Sequence, residues 1–380
     1  DTSDSFAQEV RLTSSDQGSF RWIVGAFYFK RNRSATSIFE IPGIGAVAGA
    51  PSDIFLTADI DVTDEERALY GELSYDLSDK LEATLGMRWF RNEAEYRDQQ
   101  TGIATGGLVN VNDPDNHTES KLTPKFVLAY KVTDDALLYA SAAKGYRIGG
   151  TNIPIPVEPS PPASFGPDSL WNYEVGVKTS WYENRLIFNA AFYYIDWTDI
   201  QVELDEPTTE LSYTSNGGQA YSKGIEIELI GRPMSGLQLT SALAWNKARM
   251  DEDVLNPDTG IPFALQGDRM PGARDFTISN SIEYTRPVSD TFDFLVRADH
   301  QYVGNGFSAF LNAPRANLAP KLPSYTLVNL RVGLTSNKWD LTLYADNLFN
   351  NDALVSLNSS GNFAFQLKPR TMGINVRTQF

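Results

Sequence analysis

Apolar and polar residues alternate one by one along most of this chain. In residues 80–90, Leu81, Ala83, Leu85, Met87 and Trp89 interleave with Glu82, Thr84, Gly86 and Arg88, a period of two that puts successive side chains on opposite faces of a strand. The pattern returns in Tyr173, Val175 and Val177 against Glu174, Gly176 and Lys178. It returns again in Ile225, Ile227 and Leu229 against Glu226 and Glu228, and in Trp339, Leu341 and Leu343 against Asp340, Thr342 and Tyr344. Each segment predicts a strand with one greasy face and one wet face.

Short polar turns separate pairs of these strands: Ser15–Gly18, Ser78–Asp79, Thr133–Asp135, Tyr182–Asn184, Pro233–Gly236, Val288–Asp290 and Ser336–Lys338. They alternate with longer connections rich in Gly, Pro, Asn and Asp, near residues 33–63, 95–118, 148–168, 204–219, 250–273, 304–322 and 350–362. Short turns at one end and long loops at the other are the layout of an outer-membrane barrel, with the turns periplasmic and the loops extracellular. The fold expected is all-β, a transmembrane antiparallel up-and-down β-barrel contributing about fifteen strands. Single-chain bacterial barrels have an even number of strands with both ends in the periplasm, so further strands are expected upstream or from another chain. The start at Asp1 rather than Met fits a mature or truncated product.

The tryptophans fall at two levels. Trp22, Trp181 and Trp339 lie within a few residues of short turns, whereas Trp89, Trp171, Trp197 and Trp245 lie roughly nine to thirteen residues from theirs. A tilted strand needs about 9–11 residues to cross the hydrocarbon, and indole rings prefer its boundaries. The two levels therefore read as paired aromatic girdles. In the last strand Met372, Ile374, Val376 and Phe380 share one face.

Composition conceals this architecture. A hydrophobic fraction of 42% and a mean hydropathy of −0.30 resemble those of a soluble protein. No stretch approaches the roughly 18 consecutive apolar residues of a transmembrane helix, so any bilayer crossing must use a sheet closed on itself. The absence of cysteine removes disulfides, thiol catalysis and thiolate metal sites. A net charge of −16 argues against a nucleic-acid partner; acids such as Asp251, Glu252, Asp253, Asp258 and Asp268 read as solvated loop surface. Mid-strand charges at Glu174, Lys178, Glu226 and Glu228 suit a hydrated lumen or one filled by a polar domain.

Several words then resemble one family. Phe6–Ser14 (FAQEVRLTS), Phe20–Phe29 (FRWIVGAFYF), Ala140–Asn152 (ASAAKGYRIGGTN), Tyr344–Asn350 (YADNLFN) and Pro369–Phe380 (PRTMGINVRTQF) resemble, in order and spacing, the barrel of TonB-dependent receptors. Trp171–Val177, Phe192–Ile200 and Gly224–Leu229 look like its later strands, so the likeness covers essentially residues 1–380. The resemblance implies a Gram-negative outer-membrane barrel of about 22 strands occluded by an N-terminal plug. It implies a plug and roughly seven first strands outside this chain, coupling to TonB–ExbB–ExbD through the plug, and a C-terminal strand read by the barrel insertion machinery. It also implies a small-molecule ligand held by extracellular loops and the upper lumen, with a ferric siderophore the commonest and a cobalamin or saccharide the alternatives.

The residues singled out for that ligand are Arg91, Arg97, Arg249, Arg274 and Arg315, because a guanidinium fork matches anionic chelates and carboxylates. For any one of them, solvation of a strand top is the plainer role. No resident cofactor, metal site or catalytic residue is expected. His117 is the only histidine in a long connection, and His300 shares a face with Phe292, Phe294, Val296 and Ala298, which argues against a barrel hydrolase. A passive porin remains an alternative.

Overall fold

A computed structural model describes residues 1–15, 17–152, 161–205, 212–255, 260, 262–310, 321–357 and 364–378. Its main sheet has fifteen strands, each beside its neighbour in sequence. These are β1 (Thr2–Thr13), β2 (Phe20–Glu40), β3 (Ile54–Ser78), β4 (Leu81–Thr101) and β5 (Asn110–Thr133). There follow β6 (Ala136–Arg147), β7 (Asp168–Trp181), β8 (Leu186–Thr198), β9 (Gln219–Met234) and β10 (Leu237–Met250). The last five are β11 (Phe276–Pro287), β12 (Asp293–Val303), β13 (Tyr325–Thr335), β14 (Trp339–Asp346) and β15 (Thr371–Thr378). This is the up-and-down antiparallel topology that the turn and loop pattern predicts.

The tight turns show why the chain reverses where it does. In five of them a hydroxyl closes the turn by accepting main-chain N–H groups two or three residues on. Ser15, Ser78, Thr133, Ser289 and Ser336 do this, at 2.9 Å for Ser336 Oγ and Trp339 N. The other two turns use left-handed backbone. Tyr182, Glu183 and Asn184 all have positive φ, and Gly236 has φ 79°. A Cβ on Gly236 would stand 2.0 Å from the Thr285 carbonyl oxygen, so glycine is required there.

Strand lengths depart from expectation in one region. β2, β3, β4 and β5 run for 21, 25, 21 and 24 residues, so much of residues 33–63 and 95–118 is paired strand rather than loop. The β3–β4 ladder continues unbroken from Tyr75↔Ala83 to Thr57↔Thr101. Twenty-five residues extend for roughly 80 Å, far more than a hydrocarbon core of about 30 Å requires. Past Trp89 the ladder pairs charged residues as regularly as apolar ones, so polar residues do not mark the end of these strands.

The contacts group into two compact units. One comprises Asp1–Val127, Ala143–Leu170 and Thr198–Gly217, and the other Leu128–Ala142, Trp171–Trp197 and Gly218–Phe380. In the first, the long strands bury Leu56, Ala58, Ile60, Phe90 and Tyr96, and a loop ladder pairing Gln201–Asp205 with Ser212–Asn216 buries Val202, Leu204 and Tyr213. Asn152 fastens its loop with Nδ2 donating to Pro162 O and Thr214 O and Oδ1 accepting from Thr214 N, all within 2.8 Å. Asp168 accepts from the Arg147 guanidinium and from Gln201 N.

Both units display two chemically distinct strand faces. On the apolar face, Leu69, Leu73, Leu85, Met87 and Trp89 in the first unit are exposed, as are Val175, Leu229, Leu341, Leu343 and Ile374 in the second. A water-soluble surface rarely presents so continuous an apolar array. The opposite face carries ion pairs: Arg21 with Asp76 and Glu82, Arg88 with Glu66, and Lys125 with Glu72 in the first unit. In the second, Arg297 meets Glu283 and Asp299, and Arg331 meets Asp299 and Asp346.

Candidate functional site

Past Trp89, β4 keeps its alternation but exchanges the character of its faces. Phe90, Asn92, Tyr96, Asp98 and Gln100 continue the face that carries Arg88 nearer the turn, and Phe90, Asp98 and Gln100 are at most 1% exposed. Arg91, Glu93, Glu95 and Arg97 continue the face of Met87 and Trp89, and there they pair with one another: Arg91 Nε lies 2.8 Å from Glu93 and Arg97 3.7 Å from Glu95.

The buried side of this segment meets β5 and β6. Thr123 Oγ1 donates to Arg88 O at 3.3 Å, and carrying that register up the ladder puts Glu119 beside Asn92 and His117 beside Ala94. Glu119 is 6% exposed; its Oε2 accepts from Gly149 N at 3.3 Å and lies 3.7 Å from His117 Nε2. The Phe90 and Tyr146 rings stack with centroids 3.8 Å apart and planes 3° from parallel. Burial first, and the Asp98 charge second, push the Tyr96 phenol above its ordinary range. Among the described residues Tyr96 Oη and Glu119 Oε1 have no hydrogen-bond partner. Buried polar atoms are ordinarily satisfied, so this corner holds capacity for a guest or an ordered water. It offers the Phe90–Tyr146 stack with the Glu119 carboxylate close by, while the Tyr96 hydroxyl lies further along β4, packed with Ala58 and Ile60.

In the second unit the polar face forms a concavity of about 470 Å³. Tyr139 Oη donates to Glu174 at 2.6 Å, the Lys178 ammonium stands 5.6 Å from the Tyr139 ring centroid, and Asn189 donates to Glu228 at 2.8 Å. The mid-strand charges singled out from sequence thus converge there.

The predicted arginines divide. Arg91 and Arg97 are exposed above the Trp89 level. Arg249 lies 3.5 Å from Asp275, which also meets Arg269 at 2.7 Å. Arg274 is a clamp: its guanidinium donates to the carbonyls of Gly304, Leu322, Pro323 and Val355, binding three connections together, and burial lowers its pKa. Arg315 and Phe380 lie outside the described residues. Sequence reasoning missed Phe90, Tyr96, Asp98, Gln100 and Glu119, although alternation through residue 100 was available to reveal them.

Six tryptophans follow the apolar parity. Trp22 pairs with Leu73, Trp89 with Leu69, Trp245 with Phe276 and Trp339 with Thr378, while Trp171 and Trp181 share the face of Val175. Trp197 differs. It has the parity of Asn189 and Tyr193, whose side chains reach Glu228 and Asn246, so alternation puts it on the polar face. Met372, Ile374 and Val376 are exposed on the apolar face. Ser241, Asn280 and His300 form a hydrogen-bonded row across three strands, with Asn280 between the other two.

Comparison with known proteins agrees with this architecture. The chain is 23% identical over 382 residues to the pesticin receptor of Yersinia pestis, covering 98% of this chain and 51% of that protein. It is 22% identical over 336 residues to the ferric-pyoverdine M114 receptor PbuA of Pseudomonas sp. (strain M114), covering 84% and 37%. Among solved structures, the ferric yersiniabactin uptake receptor FyuA from Yersinia pestis superposes with a TM-score of 0.80 at 20% identity, over all of this chain and 54% of that one. The ferric-catecholate import receptor Fiu from K12 E. coli does so with a TM-score of 0.73 at 17% identity, over 100% and 55%. The chain thus spans about half the length of the curated relatives it matches. The model of the TonB dependent receptor-like β-barrel matches residues 1–348, and the chain belongs to that family of outer-membrane barrels.

Proposed function

We propose that this chain is the C-terminal portion of the barrel of a TonB-dependent receptor in a Gram-negative outer membrane, importing a ferric siderophore or similar metal chelate. The observation that carries the reading is the fifteen-strand up-and-down sheet whose strands show an exposed apolar face in each unit, joined to a family match over nearly the whole chain. The relatives named for pesticin, ferric pyoverdine and ferric yersiniabactin support the ligand class. A plug and about seven further strands complete the barrel from upstream or from a separate chain, and the plug couples it to TonB–ExbB–ExbD.

In this proposal the apolar face meets lipid, the girdle tryptophans mark its boundaries, and Met372, Ile374, Val376 and Phe380 engage the insertion machinery. Ligand enters past the loop ends, where Arg91, Arg97, Arg249, Arg274 and Arg315 supply positive charge. It then passes Tyr96 and reaches the corner of Phe90, Glu119 and Tyr146, where planar chelating groups stack and hydrogen-bond. The chain's own role is passage and recognition rather than chemistry.

The complete receptor, purified from its native membrane, is titrated with a panel of ferric siderophores while intrinsic fluorescence is followed. Saturable binding to one of them, weakened at least tenfold by Tyr96→Phe together with Glu119→Gln, is expected. A barrel that binds none of them and conducts ions freely in a planar bilayer would instead be a porin.

A further inference from the structure

Three buried ligand atoms belong to one small patch of the first unit. On β5, His117 and Glu119 stand two positions apart and so share a face, with His117 Nε2 3.7 Å from Glu119 Oε2. On β4, Asn92 lies opposite Glu119. Gly86 fixes that register, because a Cβ there would stand 3.4 Å from Lys125 Cβ, and counting along the same rungs sets residue 92 against residue 119. Directly opposed side chains have Cβ atoms about 5 Å apart. Asn92 Oδ1, His117 Nε2 and Glu119 Oε1 are all sealed from solvent, and among the described residues no hydrogen bond reaches any of them.

The set is chemically one-sided. An amide oxygen, a carboxylate oxygen and an imidazole nitrogen each offer a lone pair, and buried acceptors without a donor are costly. Glu119 Oε2 is already taken by Gly149 N at 3.3 Å, which leaves Oε1 as the open oxygen. A Cβ on Gly149 would stand 2.5 Å from Phe165 O and 3.0 Å from His117 Nε2, so only glycine brings this N–H close enough to orient the carboxylate. What satisfies three lone pairs at once is a cation. One nitrogen and two oxygens suit a divalent first-row ion such as nickel or zinc. Among the described residues no further His, Cys, Asp or Glu joins the pair, so the protein fills at most about half of an octahedral shell.

We propose that His117, Glu119 and Asn92 coordinate the metal of an incoming chelate whose own donors leave positions open. The inference rests on the receptor reading above and deepens it by naming the class of cargo, a coordinatively unsaturated metal complex rather than a hexadentate siderophore. The Phe90–Tyr146 stack stands beside these ligands, since Phe90 shares the face of Asn92 two positions away. It gives a planar chelator an aromatic surface while the metal meets the protein.

The test sets two nickel complexes against each other on the complete receptor, purified without a polyhistidine tag. Nickel nitrilotriacetate keeps open positions for protein ligands, whereas nickel ethylenediaminetetraacetate has none. Calorimetry is expected to show the open complex binding at least about tenfold more tightly than the closed one, with a shift of the nickel d–d absorption as imidazole replaces water. His117→Gln and Glu119→Gln are each expected to weaken that binding about tenfold or more. Asn92→Asp, which trades an amide oxygen for a carboxylate, is expected to strengthen it; folding of each variant is checked by resistance to unfolding in dodecyl sulfate. Equal binding of the two complexes, or a preference undiminished in folded His117→Gln, means an adventitious ion only and overturns the proposal, while the receptor reading stands if the same preparation binds a hexadentate ferric siderophore. A barrel that binds neither nickel complex nor any ferric siderophore and conducts ions freely overturns both.

Discussion

The two halves of β4 are the same strand built to opposite rules. From Leu81 to Trp89 the odd positions are apolar, with Leu85, Met87 and Trp89 exposed, while the even ones carry Glu82, Thr84 and Arg88; from Phe90 to Thr101 the odd positions carry Arg91, Glu93, Glu95 and Arg97 while Phe90, Tyr96, Asp98 and Gln100 are buried. Backbone pairing with β3 does not change across the boundary. On the proposed membrane reading what changes is the medium: hydrocarbon rewards apolar side chains outside, and beyond it water solvates charges there while the inner face packs against protein. Hydropathy along a strand therefore reports its surroundings, and a reversal of polarity marks a membrane boundary rather than the end of an element.

This comparison can be broken from either side. The largest effect is expected from Phe90→Ala, which removes a fully buried ring from its stack with Tyr146 and should cost about 3–5 kcal/mol, read from urea-induced unfolding of the complete receptor in lipid vesicles. Met87→Arg, placing a cation on the apolar face of the lower half, should cost about 2–4 kcal/mol in the same assay. Its counterpart Arg97→Ala, on the same strand face above the boundary, should lie within about 0.5 kcal/mol of wild type. A cost for Arg97→Ala matching that of Met87→Arg would erase the boundary.

The smallest effect concerns the β2–β3 connection, which lies in water beyond the boundary. Asp53 accepts from Gly43 N and Gly45 N, each at 2.9 Å, and these two main-chain bonds hold its carboxyl below the ordinary carboxylate value of 3.8. A depressed folded pKa means that the stabilisation is complete above the ordinary value and is lost as pH falls through the lower one. Exchange protection of the Gly43 and Gly45 amides, relative to unstructured amides at the same pH, should accordingly decline on acidification below about 3.8. Asp53→Asn should remove that pH dependence.

Much of this fold is legible in the amino-acid sequence alone. Leu81–Trp89 announces its strand because one face touches lipid, and Ser78, Ser289 and Ser336 announce their turns because a hydroxyl two or three residues before an N–H is a local device. The upper reaches of β3 and β4 are harder to read, because Asp59, Asp61, Glu93 and Glu95 look like loop when only hydrophobicity is counted, yet their cross-strand pairing continues. Distance from a turn assigns Trp197 to a girdle, whereas its parity sets its face. Charge singles out Arg274, but its partners are four carbonyls from two other connections, a set no local pattern discloses. The Phe90–Tyr146 stack joins residues far apart in sequence, and only the register of β4, β5 and β6 brings them together.

The central claim is that these residues are one part of a plugged receptor. Intact mass and N-terminal sequence of the barrel extracted from native outer membranes test it most directly. The account predicts either a single chain near twice the 42.2 kDa of this one or a stoichiometric companion carrying the plug and the remaining strands; a barrel of this mass with no companion would contradict it.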